Sequence, residues 1–419
     1  MLSLLEAYEI LARNVHPIGD ETVPLQEAGG RVLSREVRAP SAYPRFNQSA
    51  MDGYAIHSLD LHRRTASLQV IGVSQAGTMT LPTLTPGTTV RVFTGAPIPE
   101  HTGAVRIQEE VEKVSSDVIH LESPTPEGIN IRWRGSDLEN NCLLLNQGRC
   151  LTPADIMCLA NLKVETVQVF RQPEGLIATT GNELVDLNGP PLKFGQVVDG
   201  NRVFLRTVIG PLMTLKETMP RLDDDPEHIQ AFLKDIQALD VVFTCGGMSV
   251  GDFDILGRSV RDMSEVLLYK IAVKPGKPIL IARLGSTLFV GLPGNPVSTF
   301  VGFHLIVRPL LGLLTGQSNV FPCTQLMRLK TEMGQGGGRL EFLRGRAEVD
   351  SQGEWTVILM SNQGSNAISG SLRCNCLVVR AKGQGARAAG EYVQVYRLDG
   401  GPKLDLDRFR QEQWPRFQS

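Results

Sequence analysis

Between residues 175 and 300, three short apolar runs each end in a glycine-rich loop, and nothing else in the chain restricts its fold as tightly. The first run, 175–180 (GLIATT), opens into Gly181, Asn182 and Glu183. The second, 239–244 (LDVVFT), ends in Cys245, Gly246 and Gly247 and continues through Ser249 to Asp252 and Asp254. The third, 287–292 (TLFVGL), ends in Pro293, Gly294, Asn295 and Pro296 and leads straight into a helix. Helices are expected over 201–215, 226–238, 255–263 and from residue 296 onward, with further strands near 267–273 and 278–283. Strands alternating with helices, with glycine at the strand ends, describe a three-layer α/β domain. In such sheets the ligand crevice lies at the carboxyl ends of the strands, where these loops sit.

The flanking segments differ. Ser3 followed by Glu6 reads as a capping box, and Leu4, Tyr8, Leu11 and Val15 then share one helical face. From residue 23 to about 170, short runs such as 89–93 (TVRVF) and 117–121 (DVIHL) alternate and are broken by Pro and Gly, the pattern of a β-rich module. After residue 316 strands return at 375–380 and 391–396. The tail from Leu404 is charged and expected to be peripheral.

The 419 residues suit two to four domains. Lys and Arg total 42 against 44 Asp and Glu, a net charge of −2, without the basic excess of a nucleic-acid binder. Seven scattered cysteines with no CxxC pair read as reduced thiols in a cytoplasmic protein, with neither disulfides nor a zinc knuckle. The N-terminus reaches Glu6 with no basic stretch, unlike a signal peptide. The most apolar segment, 298–314, is interrupted by His304 and Arg308 and is expected to be a core helix with no membrane role.

Glycine lets backbone N–H groups approach a ligand, and a helix N-terminus adds partial positive charge, so three such loops point to an anionic, phosphorylated ligand; ordinary tight turns would use the same residues. Lys270, Lys274 and Lys277 surround a proline-stiffened turn that would hold Lys277 in place for an oxyanion, or be a solvated basic turn. Glu183, Asp224, Asp252 and Asp254 are hard oxygen ligands of the kind Mg²⁺ uses beside phosphates. Asp224 could equally cap the following helix. In the β-rich part, Ser49, Asp52 and Gly53, then Thr94 to Pro97 (TGAP) and Arg132 to Asp137 (RWRGSD), bring a hydroxyl, cations and carboxylates, which spacing alone reads as turns.

Together these segments resemble the MoeA family, which includes the E domain of gephyrin. The matching runs are 49–55 (SAMDGYA), 94–97, 132–137, 180–184 (TGNEL), 199–201 (DGN), 245–251 (CGGMSVG), 274–278 (KPGKP), 291–298 (GLPGNPVS), 338–345 (GRLEFLRG) and 363–365 (QGS). The resemblance covers nearly the whole chain in the family's order. It implies a multidomain α/β plus β fold. Residues 1–20 and 173–317 would form the molybdopterin-binding α/β domain, 21–41 and 145–172 a linker, 42–144 an inserted β-rich domain, and 318–419 a small β-barrel. It also implies a homodimer whose active site is shared between subunits, and insertion of molybdate into adenylated molybdopterin with release of AMP.

By the same resemblance, Asp52, Asp137, Glu183, Lys274 and Lys277 are the expected catalytic residues, with Asp52 and Glu183 on Mg²⁺. Thr94, Arg132, Asp224, Gly246, Gly247, Ser249, Asp254, Lys270, Pro293, Asn295, Pro296, Ser298, Arg344 and Ser365 would bind substrate. Fixed cations and N–H dipoles would offset the repulsion between molybdate and a phosphate-bearing dithiolene. No protein nucleophile is required, so Cys245 is expected to be a packed strand-end residue. Asn182, Trp133, Ser136 and the stretch Thr102, Gly103, Arg106 depart from the usual pattern, and Asn182 removes one negative charge beside Glu183. Two other readings are a molybdopterin adenylyltransferase, which shares the α/β domain but lacks the inserted module, and a gephyrin-like scaffold. Partners of interest would be the adenylating enzyme and apo-molybdoenzymes.

Overall fold

The computed structural model describes residues 1–217, 220–223, 225–248, 255–401 and 403–418. Its central element is a sheet with strand order Thr214–Leu215, Glu174–Thr180, Val241–Cys245, Thr287–Leu292, Leu280–Leu284, Glu265–Tyr269, with Arg221–Leu222 pairing the far end of Glu174–Thr180. The first pairings are parallel and the last two antiparallel. Every residue of Val241–Cys245 and Thr287–Leu292 is buried, which explains their unbroken apolar character. Successive side chains alternate between faces. Val241, Phe243 and Cys245 therefore pack into one core with helix Leu4–Asn14 and the long helix, while Val242 faces helices Pro226–Asp235 and Ile255–Met263.

Several local expectations hold. Ser3 and Glu6 form a reciprocal cap, and Leu4, Tyr8, Leu11 and Val15 are buried. The long helix runs through Pro296–Gly302, a wider turn at Phe303–Val307, and Arg308–Leu314. It is long and apolar enough to cross a membrane, but 83% of its apolar window is buried inside this protein. The helix expected over 201–215 stops at Ile209, because Gly210 and Pro211 divert the chain into the short strand Thr214–Leu215. The residue capping helix Pro226–Asp235 is Asp225, whose carboxylate accepts from the N–H groups of Glu227 and His228. Asp224 lies outside the described residues, as do Ser249, Asp252 and Asp254.

Strand Asp20–Pro24 pairs with Thr166–Phe170, and Val37–Arg38 with Leu143–Leu145, so the chain leaves and re-enters through matched strands. Between them lies a six-stranded sheet of order Thr102–Ile107, Gly53–His57, Thr88–Val92, Ala66–Ser74, Val118–Leu121, Glu112–Lys113. The C-terminal part is a closed five-stranded barrel. Leu340–Val349 pairs with both Trp355–Leu359 and Cys376–Arg380, and Thr324–Leu329 with Tyr392–Arg397 completes the ring. Val273–Lys274 adds in parallel beside Leu340 and Glu341, tying the lysine loop to the barrel.

The C-terminal tail is not peripheral. Phe409 and Phe417 are buried in the main core, where the Tyr8 ring lies 4.6 Å from Phe321 and 4.8 Å from Phe409. The tail is charged only on its outer face, with Arg410 bound to Glu9 at 2.8 Å. A helical period spreads a few apolar residues, Phe409 and Phe417 among them, across a charged sequence, so composition alone hides the buried stripe.

Candidate active site

The three glycine loops converge on one cavity of about 870 Å³ at the carboxyl ends of the parallel strands. It is lined by Thr179, Thr180, Gly181 and Glu183, by Gly246 and Gly247, and by Gly294 and Pro296 at the start of the long helix. Gly246 has φ +94°, and a Cβ there would stand 2.7 Å from the Thr180 carbonyl oxygen, so the two strand ends approach closely only because it is glycine. Gly247 is also left-handed at φ +62°.

Two further elements line the cavity without having been assigned a role from the sequence. Helix Gly200–Ile209 begins at Asp199, which is buried and accepts from the Thr179 hydroxyl at 2.7 Å and from Arg202 Nε at 2.9 Å. That network joins the first strand end to the helix start, and Asn201 Nδ2 donates to the Gly294 carbonyl at 2.7 Å, linking it to the third loop. Phe204 and Phe300, with ring centroids 5.7 Å apart, supply an apolar wall suited to a planar ring. The 199–201 run was visible as part of the family pattern; the aromatic wall gave no signal beyond helical periodicity.

From the barrel, Ile368 and Ser371 close one side of the cavity. Their loop is held by Arg344, which is fully buried. Its guanidinium donates to the carbonyls of Ala367 at 2.6 Å, Asn362 at 2.8 Å and Gly364 at 3.0 Å. Burial lowers its pKa from the ordinary arginine value. Arg344 thus positions the loop that carries Ser365, whose hydroxyl accepts from Asn295 Nδ2 at 3.3 Å. The Asn295 side-chain oxygen is buried with no partner among the described residues, an unfilled acceptor at the helix start. Ser298 is buried one turn further on, and the Pro293 carbonyl accepts from Thr299 Oγ1 at 2.6 Å.

The lysines lie beside this edge and do not line the cavity. Gly276, between Lys274 and Lys277, faces the Ser298 carbonyl, with a Cβ position 3.6 Å away. Lys274 Nζ is 2.9 Å from Glu341. Burial opposes ionisation of Glu341, but bonds from Lys274 and Arg380 outweigh it and hold the carboxyl below its usual range. Lys270 has φ +63°, and its Nζ lies 4.4 Å from the Tyr269 ring centroid. Lys277 is exposed, with its carbonyl accepting from Ile271 and Ile279.

A second group gathers in the six-stranded module. Asp52 Oδ1 accepts from both the N–H and the hydroxyl of Thr94, each at 2.8 Å, and these bonds hold its carboxyl below the ordinary aspartate range. Arg132 lies opposite Gln48 in the short pair that also joins Ile131 to Ser49, and Asp137 is exposed just beyond. Among the described residues no hydrogen bond or ion pair joins this group to Glu183.

Comparison with known proteins decides the family. Residues 2–162 match the MoeA N-terminal region (domain I and II), 176–312 a probable molybdopterin binding domain, and 327–398 the MoeA C-terminal region (domain IV). The chain is 35% identical over 402 residues to a molybdopterin molybdenumtransferase of Haemophilus influenzae, covering 94% of this chain and 98% of that protein. The chain belongs to the MoeA family.

A Nostoc molybdopterin molybdenumtransferase is 31% identical over 389 residues, covering 90% of this MoeA chain and 88% of the relative. The crystal structure of a molybdopterin biosynthesis MoeA protein from Pyrococcus horikoshii superposes with a TM-score of 0.80 at 26% identity, covering 95% of this chain and all of that one. Within this MoeA fold Cys245 is buried, and burial pushes its thiol up to about 12, so it carries no thiolate near neutral pH. Among the described residues no group of three or more His, Cys, Asp or Glu is arranged to hold a metal. Glu183 is a single exposed carboxylate at the cavity, which suits a cation arriving with phosphates better than a resident ion.

Proposed function

We propose that this chain is a molybdopterin molybdenumtransferase, which inserts molybdate into the dithiolene of adenylated molybdopterin and releases AMP. The observation that carries the reading is the convergence of three glycine-rich strand ends, the carboxylates of Glu183 and Asp199, and an aromatic wall on a single cavity. Full-length relatives bearing that name favour it over an adenylyltransferase or a scaffold. Phe204 and Phe300 would stack against the pterin, while the N–H groups near Gly246, Gly247 and Gly294 would meet phosphate oxygens. Ser298, Ser365, Lys274 and Lys277, all at the helix start or beside it, would surround molybdate, and fixed donors there oppose the repulsion between the two anions.

Glu183 would orient the water that cleaves the adenylate. Mg²⁺ bound with the pyrophosphate would polarise it, and Glu183 and Asp52 are the carboxylates that would meet such an ion. Because no hydrogen bond or ion pair among the described residues joins Asp52, Thr94, Arg132 or Asp137 to Glu183 within one chain, the complete site would form in a homodimer, with the six-stranded module of one subunit facing the cavity of the other. Such an enzyme works in the cytoplasm beside the adenylating enzyme that supplies its substrate and the apo-molybdoenzymes that take its product. The test is AMP release from adenylated molybdopterin, with and without molybdate, for the native chain and Glu183→Ala. Molybdate-dependent release that disappears in the variant is expected; tight binding of the adenylate without release by the native chain overturns the catalytic reading.

A further inference from the structure

A second cavity, of about 330 Å³, opens where three parts of the chain meet and shares no lining residue with the glycine-loop cavity. Arg31 and Cys150 face it from the two segments joined by the Val32–Cys150 bridge, Arg308 from the long helix, and Lys403 from the strand that follows the barrel. The walls are fixed. Ser318 N–H donates to the Gly148 carbonyl at 3.1 Å, and a Cβ on Gly316 would stand 2.2 Å from the Phe170 ring. Lys403 is held in register opposite Pro322.

The charges around this space do not balance. Arg31 is occupied by Glu21 at 2.5 Å and by the Phe170 carbonyl at 3.0 Å. Arg308 gives one 3.4 Å bond to the Leu398 carbonyl. Among the described residues neither Arg308 nor Lys403 has a carboxylate within 4.0 Å. Burial, and then the Arg308 guanidinium, push the Lys403 amine down to about 8, with only the Cys150 thiol acting the other way. Two cations sharing a half-buried space without an acid favour either loss of a proton or the arrival of an anion. The amides of Gln172 and Gln317 line the same space and can donate to oxyanion oxygens.

We propose that this junction is a binding site for a small tetrahedral dianion of the phosphate type, held between Arg308 and Lys403. Bound there, the anion bridges the long helix to the strand leaving the barrel and locks both against the linker. Its role is therefore in the arrangement of the modules, separate from the chemistry at the glycine loops.

Thermal unfolding with added inorganic phosphate at constant ionic strength, for the native chain, Lys403→Met and Lys403→Arg, tests this. Phosphate raises the native Tm by linkage, and Lys403→Arg keeps that rise. In Lys403→Met the rise falls by about half or more, any remainder coming from phosphate at the glycine loops. Without phosphate the Tm of Lys403→Met is not below the native value, since an uncompensated charge has been removed. Arg308→Gln behaves like Lys403→Met and replaces it if that variant does not accumulate. Calorimetric titration just above the Lys403 value, in two buffers of different ionisation heat, shows proton uptake with phosphate for the native chain and none for Lys403→Met. No phosphate-dependent rise, or the same rise in native and Lys403→Met, overturns the proposal.

Discussion

At the scale of single residues, the pair Asp52 and Thr94 has the most direct chemical consequence. The two Thr94 donors stabilise the carboxylate of Asp52, so its proton leaves at lower pH than from an ordinary aspartate. A carboxyl whose folded value is depressed stays ionised as pH falls until that lower value is crossed. Thr94→Val keeps the backbone donor and the branched shape but removes the hydroxyl. The acid limb of the pH profile for AMP release should therefore move to higher pH in Thr94→Val, with the plateau rate little changed. An unmoved limb would mean that Asp52 is not the group titrating there. Nothing in spacing marked Asp52 as more than a turn residue. The resemblance singled it out, and the structure supplied its partner.

At the scale of elements, Arg344 braces the loop that carries Ile368 and Ser371 to the cavity. It spends its donors on three carbonyls of the 362–367 segment, and Gly370 leaves room for it. A Cβ at Gly370 would stand 3.0 Å from the guanidinium carbon and 2.4 Å from the Asn362 carbonyl oxygen. Arg344→Met leaves these buried acceptors unpaired and should destabilise the chain by about 2–4 kcal/mol, measured by denaturant unfolding. The same change should raise KM for adenylated molybdopterin, because Ile368 and Ser371 are carried to the cavity by the loop that Arg344 braces. A variant with native stability and unchanged KM would remove the positioning role.

For the whole molecule, the feature to test is that, among the described residues, no hydrogen bond or ion pair joins Glu183 to Asp52 or Asp137. If each active site takes Glu183 from one subunit and Asp52 from its partner, Glu183→Ala and Asp52→Ala are each inactive alone. Mixed in equal amounts and allowed to exchange, half of the dimers carry both changes on opposite subunits, and each of these retains one intact site. The mixture should recover about one quarter of the native activity. No recovery, with exchange shown by mass, would place both carboxylates in the same subunit's site or leave one of them out of it.

Short-range patterns determined much of this protein from the sequence alone. The Ser3 cap, the helix 255–263, the strand 287–292 and the glycine ends of the parallel strands are set by hydrogen-bonding and steric rules that act within a few residues. The glycine loops and the long helix start also marked where a ligand belongs, because strand ends in such a sheet open into one crevice. What depended on neighbours distant in the chain was decided only by tertiary structure. The charged tail carries Phe409 and Phe417 into the core because Tyr8 and Phe321 wait there. Arg344 is turned inward by carbonyls about twenty residues away, and Lys274 is held by Glu341 across a strand pair. Charge and polarity are written in the sequence, but whether a charged group meets solvent, a ligand or a buried partner depends on which surfaces the folded chain brings together.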